Sequence, residues 1–168
     1  MRWGRLGQAT PVPGSLAFYA YAYADSAGVD IFYVSNRYTE QLPETMANLR
    51  HLGYPQVDSA HVLLRTAGGG KATRRARVAA THEVAMLLGD NLSDFSEAFD
   101  DEPGERHAAL VEEAAASFGT ACIVLPNRMC GNWESDGIYG GRRDYTAARR
   151  DSVRRSLLRT YEIRAASG

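Results

Sequence analysis

The stretch VDIFYVS, residues 29–35, is a β-branched and aromatic run typical of a buried strand. Three more short apolar runs follow it along the chain, HVLLR (61–65), VAMLLG (84–89) and ACIVL (121–125). Apolar periodicity and helix-ending residues predict helices over about 44–52, 71–82, 105–117 and 145–163. Strands that alternate with helices predict an α/β fold with a mostly parallel sheet covered on both faces.

The composition is that of an ordinary globular domain. The chain has 168 residues, of which 45% are hydrophobic and 23% charged, so it is long enough to bury a core. Its net charge of −1 produces no bulk field that favours nucleic acid or an anionic membrane. No run approaches the roughly 20 apolar residues of a transmembrane helix. We therefore expect one domain over residues 1–168, without a nucleic-acid partner and without a membrane span.

The first candidate site is the end of the first predicted strand. Ligands of parallel α/β sheets bind beyond the carboxyl ends of the strands, which is where Ser35 and Asn36 stand. A small hydroxyl and a backbone N–H are the donors that a phosphate oxygen needs. The alternative is a strand that simply ends in polar turn residues, and these residues alone leave both interpretations open.

The second candidate is Lys71, the single lysine in a chain with 18 arginines. It follows the glycine-rich stretch AGGG (67–70) and begins a predicted helix, so its charge adds to a helix dipole that already favours anions. The spacing is not that of a Walker A loop. The alternative is an exposed lysine after a glycine loop.

The third candidate is the pair Asp90 and Asp94 in GDNLSDF (89–95), directly after an apolar strand. Two carboxylates four residues apart can converge on one hard cation, and Mg²⁺ prefers oxygen ligands and usually keeps several waters. An Asp-initiated turn and a helix cap explain either residue singly, but they explain the pair less well. The pattern therefore predicts a Mg²⁺ site.

Trp133 and Tyr139 are weaker candidates. Their rings are suited to form an aromatic wall for a substrate ring, or equally to close the core over the edge of the sheet. The arginines between 142 and 155 alternate with Asp144 and Asp151, which is typical of the solvated face of a helix.

Taken in order, these segments resemble the class C acid phosphatases of the haloacid dehalogenase-like (HAD) superfamily, also known as lipoprotein-type 5′-nucleotidases. The resemblance covers nearly the whole chain in the right order and spacing, and this makes it specific although no single segment is. The matching segments are VPGSLAF (12–18), IFYVSNR (31–37), TMANLRHLGYP (45–55), LLRTAGGGKATRRARV (63–78), LLGDNLSDF (87–95), FGTACIVLPN (118–127) and GNWE (131–134).

The resemblance implies a role for each candidate residue. Ser35 and the Asn36 amide match the motif that binds the transferring phosphoryl group. Lys71 matches the lysine that neutralises the phosphate and the nucleophile. Asp90 matches a Mg²⁺ ligand, and Asp94 matches the carboxylate that supports the metal and its waters.

The implied activity is Mg²⁺-dependent hydrolysis of phosphate monoesters through an aspartyl-phosphate. Nucleoside monophosphates are the expected substrates if the aromatic wall exists. Trp133 and Tyr139 match substrate contacts less well, because the spacing after Trp133 is shorter than in the relatives. Relatives of this kind act outside the cytoplasm, so the resemblance implies a secreted, periplasmic or lipoprotein-anchored enzyme.

One departure from the family pattern is large. Family members carry an apolar strand that ends in a DxDxT motif, whose first Asp attacks phosphorus and whose second is the general acid–base. Only residues 1–11 precede the matching VPGSLAF segment here, and the sequence contains no DxD. We therefore expect a HAD-like three-layer α/β/α domain that lacks its central first strand and is N-terminally incomplete, because of a late start or a truncated gene.

The missing strand leaves two other interpretations open. The chain is then either a catalytically inactive phosphate- or nucleotide-binding remnant, or a fragment that does not fold alone. Unpaired strand edges also favour pairing with another chain, which makes a homo-oligomer possible.

Overall fold

The structure is a computed structural model, and it describes residues 10–19, 28–66, 70–100, 104–126, 134, 138–142 and 144–157. The described strands are β1 (Tyr33–Tyr38), β2 (Val62–Arg65), β3 (Leu87–Gly89) and β4 (Cys122–Val124). The described helices are α1 (Ser15–Ala17), α2 (Leu42–His51), α3 (Lys71–Ala79), α4 (Gly104–Glu113) and α5 (Ala147–Ser156).

The strands pair in parallel, as the alternation of strands and helices predicts. β1 pairs with β2, and β3 pairs with β4, each pair forming a two-stranded parallel sheet. The chain divides into two compact units, Met1–Val84 and Ala85–Gly168, so that each sheet belongs to one unit. The prediction of an α/β fold with parallel strands is confirmed.

The predicted boundaries of the first strand are wrong: β1 begins at Tyr33 rather than at residue 29 and continues to Tyr38. The Gln56 side chain explains the late start. Its amide accepts from the Ile31 N–H at 2.7 Å and donates to the Val29 carbonyl at 3.1 Å. Because the Gln56 side chain forms the hydrogen bonds of these backbone groups, residues 29–31 do not need a neighbouring strand to pair with.

β1 carries an irregularity in its second half. Val34 pairs with Leu63 and Tyr38 pairs with Arg65, so three residues of β1 stand opposite one residue of β2. We call residues 35–37 the β1 bulge. A bulge redirects side chains and interrupts the ladder, and bulges are common next to active sites.

Other elements are shorter than the sequence patterns predict. α3 begins at Lys71 as predicted, but it ends at Ala79. β3 begins at Leu87 rather than residue 84, because its ladder is only as long as the three residues of β4. Within the described ranges, no helix combines the length and the apolar character that a bilayer span requires.

The core of the first unit lies between β2 and α2. Val62 and Leu64 point inward from β2 beside Val57, and all three are buried. Each such side chain contributes about 1.5–3 kcal/mol on burial. The residues packed around them are Tyr33, Leu42, Met46, Leu49 and Tyr54. This core supports the β1–β2 sheet and hence the β1 bulge.

The core of the second unit lies under the turn that follows β3. Phe95 and Phe99 are buried, and the Phe95 ring meets the Phe118 ring edge to face at 5.5 Å between centroids. His107 of α4 is hydrogen bonded through Nε2 to the Phe99 carbonyl at 3.0 Å. These contacts anchor the chain on the far side of the turn that contains Asp90 and Asp94.

Candidate functional site

Ser35 and Asn36 lie within the β1 bulge, not beyond a strand end as the sequence pattern predicts. The Ser35 hydroxyl accepts a hydrogen bond from the Arg37 N–H at 3.3 Å. A hydroxyl that accepts in this way keeps its own hydrogen available for a second acceptor. Asn36 is exposed, while Ser35 is half-buried. The bulge thus presents one hydroxyl and one amide side chain at the carboxyl end of β1.

Arg74 of α3 connects the β1 bulge to β2. Its guanidinium group donates to the Ser35 carbonyl in a short hydrogen bond, to Asn36 Oδ1 at 2.6 Å and to the Leu63 carbonyl at 3.4 Å. Burial lowers the pKa of Arg74, and the nearby positive charges of Arg65 and Arg75 lower it further. One side chain therefore holds the bulge, β2 and α3 together.

The sequence patterns missed Arg74. Positions three and four residues apart share a helix face, so both Arg74 and Arg75 lie on the face that Lys71 begins. Spacing alone does not choose between the two arginines. Only the docking of α3 on β1 and β2 shows that Arg74 is the one in contact with Ser35 and Asn36.

Lys71 is the first residue of α3, as predicted, and it is half-buried. The preceding Gly70 is extended, and the first turn of the helix has neither an acidic residue nor a side-chain cap. The N-terminal end of α3 therefore combines the positive end of the helix dipole with a lysine. Through Arg74, the same helix contacts the β1 bulge.

Asp90 and Asp94 belong to a compact turn after β3, residues 89–94, which we call the Asp94 turn. Asp94 Oδ2 accepts from the backbone N–H groups of Asp90 at 3.1 Å and Asn91 at 3.3 Å. An added Cβ at Gly89 would lie 2.4 Å from the Asp94 Cβ and 2.6 Å from its Oδ2, so glycine is required for this approach. The Asp90 side chain is exposed.

The two carboxylates are suited to Mg²⁺ by their chemistry. Both supply hard oxygen donors at a strand end, and Mg²⁺ is commonly held by one or two carboxylates together with waters and substrate phosphate. No group of three or more metal-ligating side chains occurs among the residues that the structure describes. Asp94 Oδ2 accepts from the backbone of the turn, whereas the Asp90 side chain is exposed to solvent.

Of the predicted aromatic pair, Tyr139 is described and Trp133 lies outside the described residues. Tyr139 is only 6% exposed, and its hydroxyl donates to Glu134 at 3.1 Å. Guanidinium groups of Arg150 and Arg154 lie 5.8 and 6.0 Å from its centroid. This packing is what the core-closing interpretation expects, and substrate contact by either ring stays a prediction.

The candidate residues divide between the two units. Ser35, Asn36 and Lys71 belong to the first unit, where Arg74 ties the bulge to the helix that Lys71 begins. Asp90 and Asp94 belong to the second unit, where one hydrogen-bonded turn holds them. Each unit therefore carries one half of the predicted chemistry: oxyanion donors in the first and carboxylates in the second.

Comparison with known proteins identifies the family to which this parallel α/β chain belongs. The family described as HAD superfamily, subfamily IIIB (acid phosphatase) matches residues 1–133. The chain belongs to this family.

Two solved structures of the class C acid phosphatase from Bacillus anthracis, one of them with tungstate bound, are similar to the chain. Each is 37% identical to it with a TM-score of 0.87 over 96% of the chain. The chain spans about two-thirds of their length, 66% and 67% respectively.

Proposed function

We propose that this chain provides the phosphoryl-binding and Mg²⁺-binding residues of a phosphomonoesterase that hydrolyses its substrates through an aspartyl-phosphate. Ser35, the Asn36 amide and Lys71 bind the phosphoryl group, Asp90 binds the metal, and Asp94 supports the metal site. Nucleoside monophosphates are the proposed substrates. The attacking aspartate is not among these residues, since the sequence contains no DxD.

The observation that carries the proposal is the link between the β1 bulge and α3. Arg74 contacts both Ser35 and Asn36, and Lys71 lies three residues before Arg74 on the same helix face. A hydroxyl, a backbone N–H and a lysine gathered in this way are the donors that a tetrahedral oxyanion requires. The tungstate held by the Bacillus anthracis relative is an anion of the same shape as phosphate.

The Asp94 turn supports the metal part of the proposal. Bound Mg²⁺ supplies a positive charge that offsets the charge on a transferring phosphoryl group. Asp90 is exposed to bind the ion, and Asp94 fixes the backbone that carries Asp90. The role proposed for Asp94 is therefore positional.

The proposal also concerns the fold, the location and the oligomeric state of the protein. We infer one HAD-like domain of the three-layer α/β/α kind whose central first strand is not among the 168 residues. The absence of a DxD motif from the sequence supports this inference. A location outside the cytoplasm is proposed by family resemblance alone, and a homo-oligomeric state is proposed because the missing strand would leave strand edges unpaired.

A specific observation favours a second function, which is binding without turnover. Family members use the first Asp of a DxDxT motif as the nucleophile, and the sequence has no DxD. A chain with the oxyanion donors and the carboxylates but no nucleophile binds phosphate and does not hydrolyse esters. The two functions differ in turnover, not in ligand.

The test is a pair of measurements on the 168-residue chain. Calorimetric titration with phosphate or tungstate, with and without Mg²⁺, measures binding, and p-nitrophenyl phosphate hydrolysis measures turnover. We expect binding that Mg²⁺ strengthens and little hydrolysis. Absence of oxyanion binding would contradict the proposed phosphoryl site. Hydrolysis that EDTA abolishes would instead show that another residue replaces the missing aspartate.

A further inference from the structure

We propose that Arg74 is a positioning residue, which orients the Ser35–Asn36 peptide so that the Asn36 N–H donates to the bound oxyanion. The inference rests on the proposed function, because it concerns the same oxyanion. It goes beyond that function by assigning a role to a residue that does not itself contact the ligand.

The geometry of the peptide bond carries the first step. The described chain has no cis peptide bonds, so the Ser35 carbonyl and the Asn36 N–H point in opposite directions across one rigid plane. Arg74 holds that carbonyl with its guanidinium group. The N–H of Asn36 is therefore directed away from Arg74, and its direction is set by this contact.

The Asn36 side chain is oriented by the same group. A guanidinium only donates hydrogen bonds, so the atom that Arg74 meets at 2.6 Å is the side-chain carbonyl oxygen of Asn36. The NH₂ end of the side chain is then turned away from Arg74. The Ser35 carbonyl and Asn36 Oδ1 therefore face the arginine, and the backbone N–H and side-chain NH₂ of Asn36 are turned away from it.

This arrangement also has an electrostatic consequence. The Ser35 carbonyl and Asn36 Oδ1 carry partial negative charge that would repel an anion bound beside them. Arg74 covers both oxygens with a cation that is itself partly desolvated, so the interaction is stronger than it would be in water. Lysine would not replace it, because a single ammonium lacks the planar fork that reaches separate acceptors.

The test uses tungstate titration of the full 168-residue chain in four forms: wild type, Arg74→Lys, Arg74→Met and Arg77→Met. We expect both changes at Arg74 to raise the Kd for tungstate about tenfold or more, because an ordered donor is lost. Arg77 is exposed on the same helix, so Arg77→Met removes one positive charge without touching the bulge. Its Kd should stay within about twofold of wild type.

An NMR readout separates positioning from general stability. Tungstate should shift the Asn36 amide proton strongly in the wild type and weakly in Arg74→Lys at equal saturation. Arg74→Lys keeps the charge and the helix, so it serves if Arg74→Met does not fold. Two outcomes overturn the inference and leave the proposed function standing. One is an unchanged tungstate affinity in Arg74→Lys. The other is a wild type that binds tungstate without a shift of the Asn36 amide proton. Wild type that binds no tungstate overturns both.

Discussion

The β1 bulge and the Asp94 turn hold their candidate residues by different means. In the Asp94 turn, the hydrogen bonds join residues three and four apart in sequence. In the β1 bulge, the bonds from Arg74 span 38 and 39 residues. The carboxylates are therefore positioned locally, whereas the β1 bulge, which carries the proposed phosphoryl-binding residues, depends on a helix that docks from elsewhere in the chain.

This difference indicates which mutations should disturb each of the two regions. A local turn forms with little loop-closure entropy, so changes elsewhere in the fold have a limited effect on it. The β1 bulge responds to anything that moves α3, because Arg74 is its tie to that helix. Mutations that act on one region and leave the other unchanged can distinguish local positioning in the Asp94 turn from positioning by helix docking in the β1 bulge.

The largest effect is expected from Gly89→Ala, which places a methyl group inside the Asp94 turn and should lower the free energy of unfolding. The new Cβ would overlap the Asp94 side chain, including its Cβ at 2.4 Å, so the turn must open or the strand must shift. Overpacking of this kind costs about 2–3 kcal/mol of unfolding free energy. Chemical denaturation measures it. Gly70→Ala is the matched control, since no atom lies within 4 Å of its added Cβ; equal losses in both variants would contradict the explanation.

The second prediction concerns Asp94→Asn, which keeps an oxygen acceptor in the turn but removes its charge. We expect a stable fold and a Mg²⁺ affinity reduced about 10–100-fold, as for other residues that support metal ligands. Calorimetric Mg²⁺ titration measures the change. Glu97→Gln removes an exposed carboxylate three residues further on and should leave the affinity unchanged. If both variants lose affinity equally, the effect is one of net charge and not of the Asp94 turn.

The third prediction concerns Lys71→Met in the first unit. Loss of the cation at the start of α3 should raise the Kd for tungstate about tenfold, the cost of one charge-assisted hydrogen bond. The stability should hardly change, because methionine keeps the length of the side chain and the helix propensity. Arg77→Met again controls for the lost charge. Unaltered tungstate binding in Lys71→Met would remove Lys71 from the proposed site.

The smallest effect is expected at Asp58, in a local turn of the first unit that resembles the Asp94 turn. Asp58 Oδ1 accepts from the His61 ring at 2.8 Å and from the His61 N–H at 3.0 Å. The His61 hydrogen bonds lower the pKa of Asp58 below its ordinary value. A folded-state pKa below the unfolded one contributes stability at neutral pH, and this contribution is lost as the pH falls through the lowered value.

Thermal unfolding of wild type and Asp58→Asn between about pH 3 and 7 tests this sign. We expect a small difference in Tm at neutral pH that closes as the pH falls below about 4. A difference that is constant with pH would show that the shape of the turn matters and its charge does not.

The sequence predicted the type and order of the helices and strands better than it predicted the residues at which they begin and end. The start of α3 at Lys71 and the parallel pairing of the strands follow from composition and periodicity. The limits of β1 do not, because the side chain of Gln56 replaces the ladder over residues 29–31, and Gln56 itself has a φ of 52°. No local pattern predicts a distant side chain that substitutes for a strand partner.

The sequence by itself determined the family, the α/β class and the residue types available for the chemistry, because these follow from periodicity and from motifs in order. The hydrogen bonds of the Asp94 turn lie within a few residues, so this turn depends on local sequence, although the sequence pattern favoured a Mg²⁺ site there over a simple turn. Only the tertiary structure decided that Ser35 and Asn36 lie in a bulge and that Arg74, not Arg75, holds them. The physical reason is that a contact across nearly 40 residues is set by how a helix docks on a sheet, which local preferences do not specify.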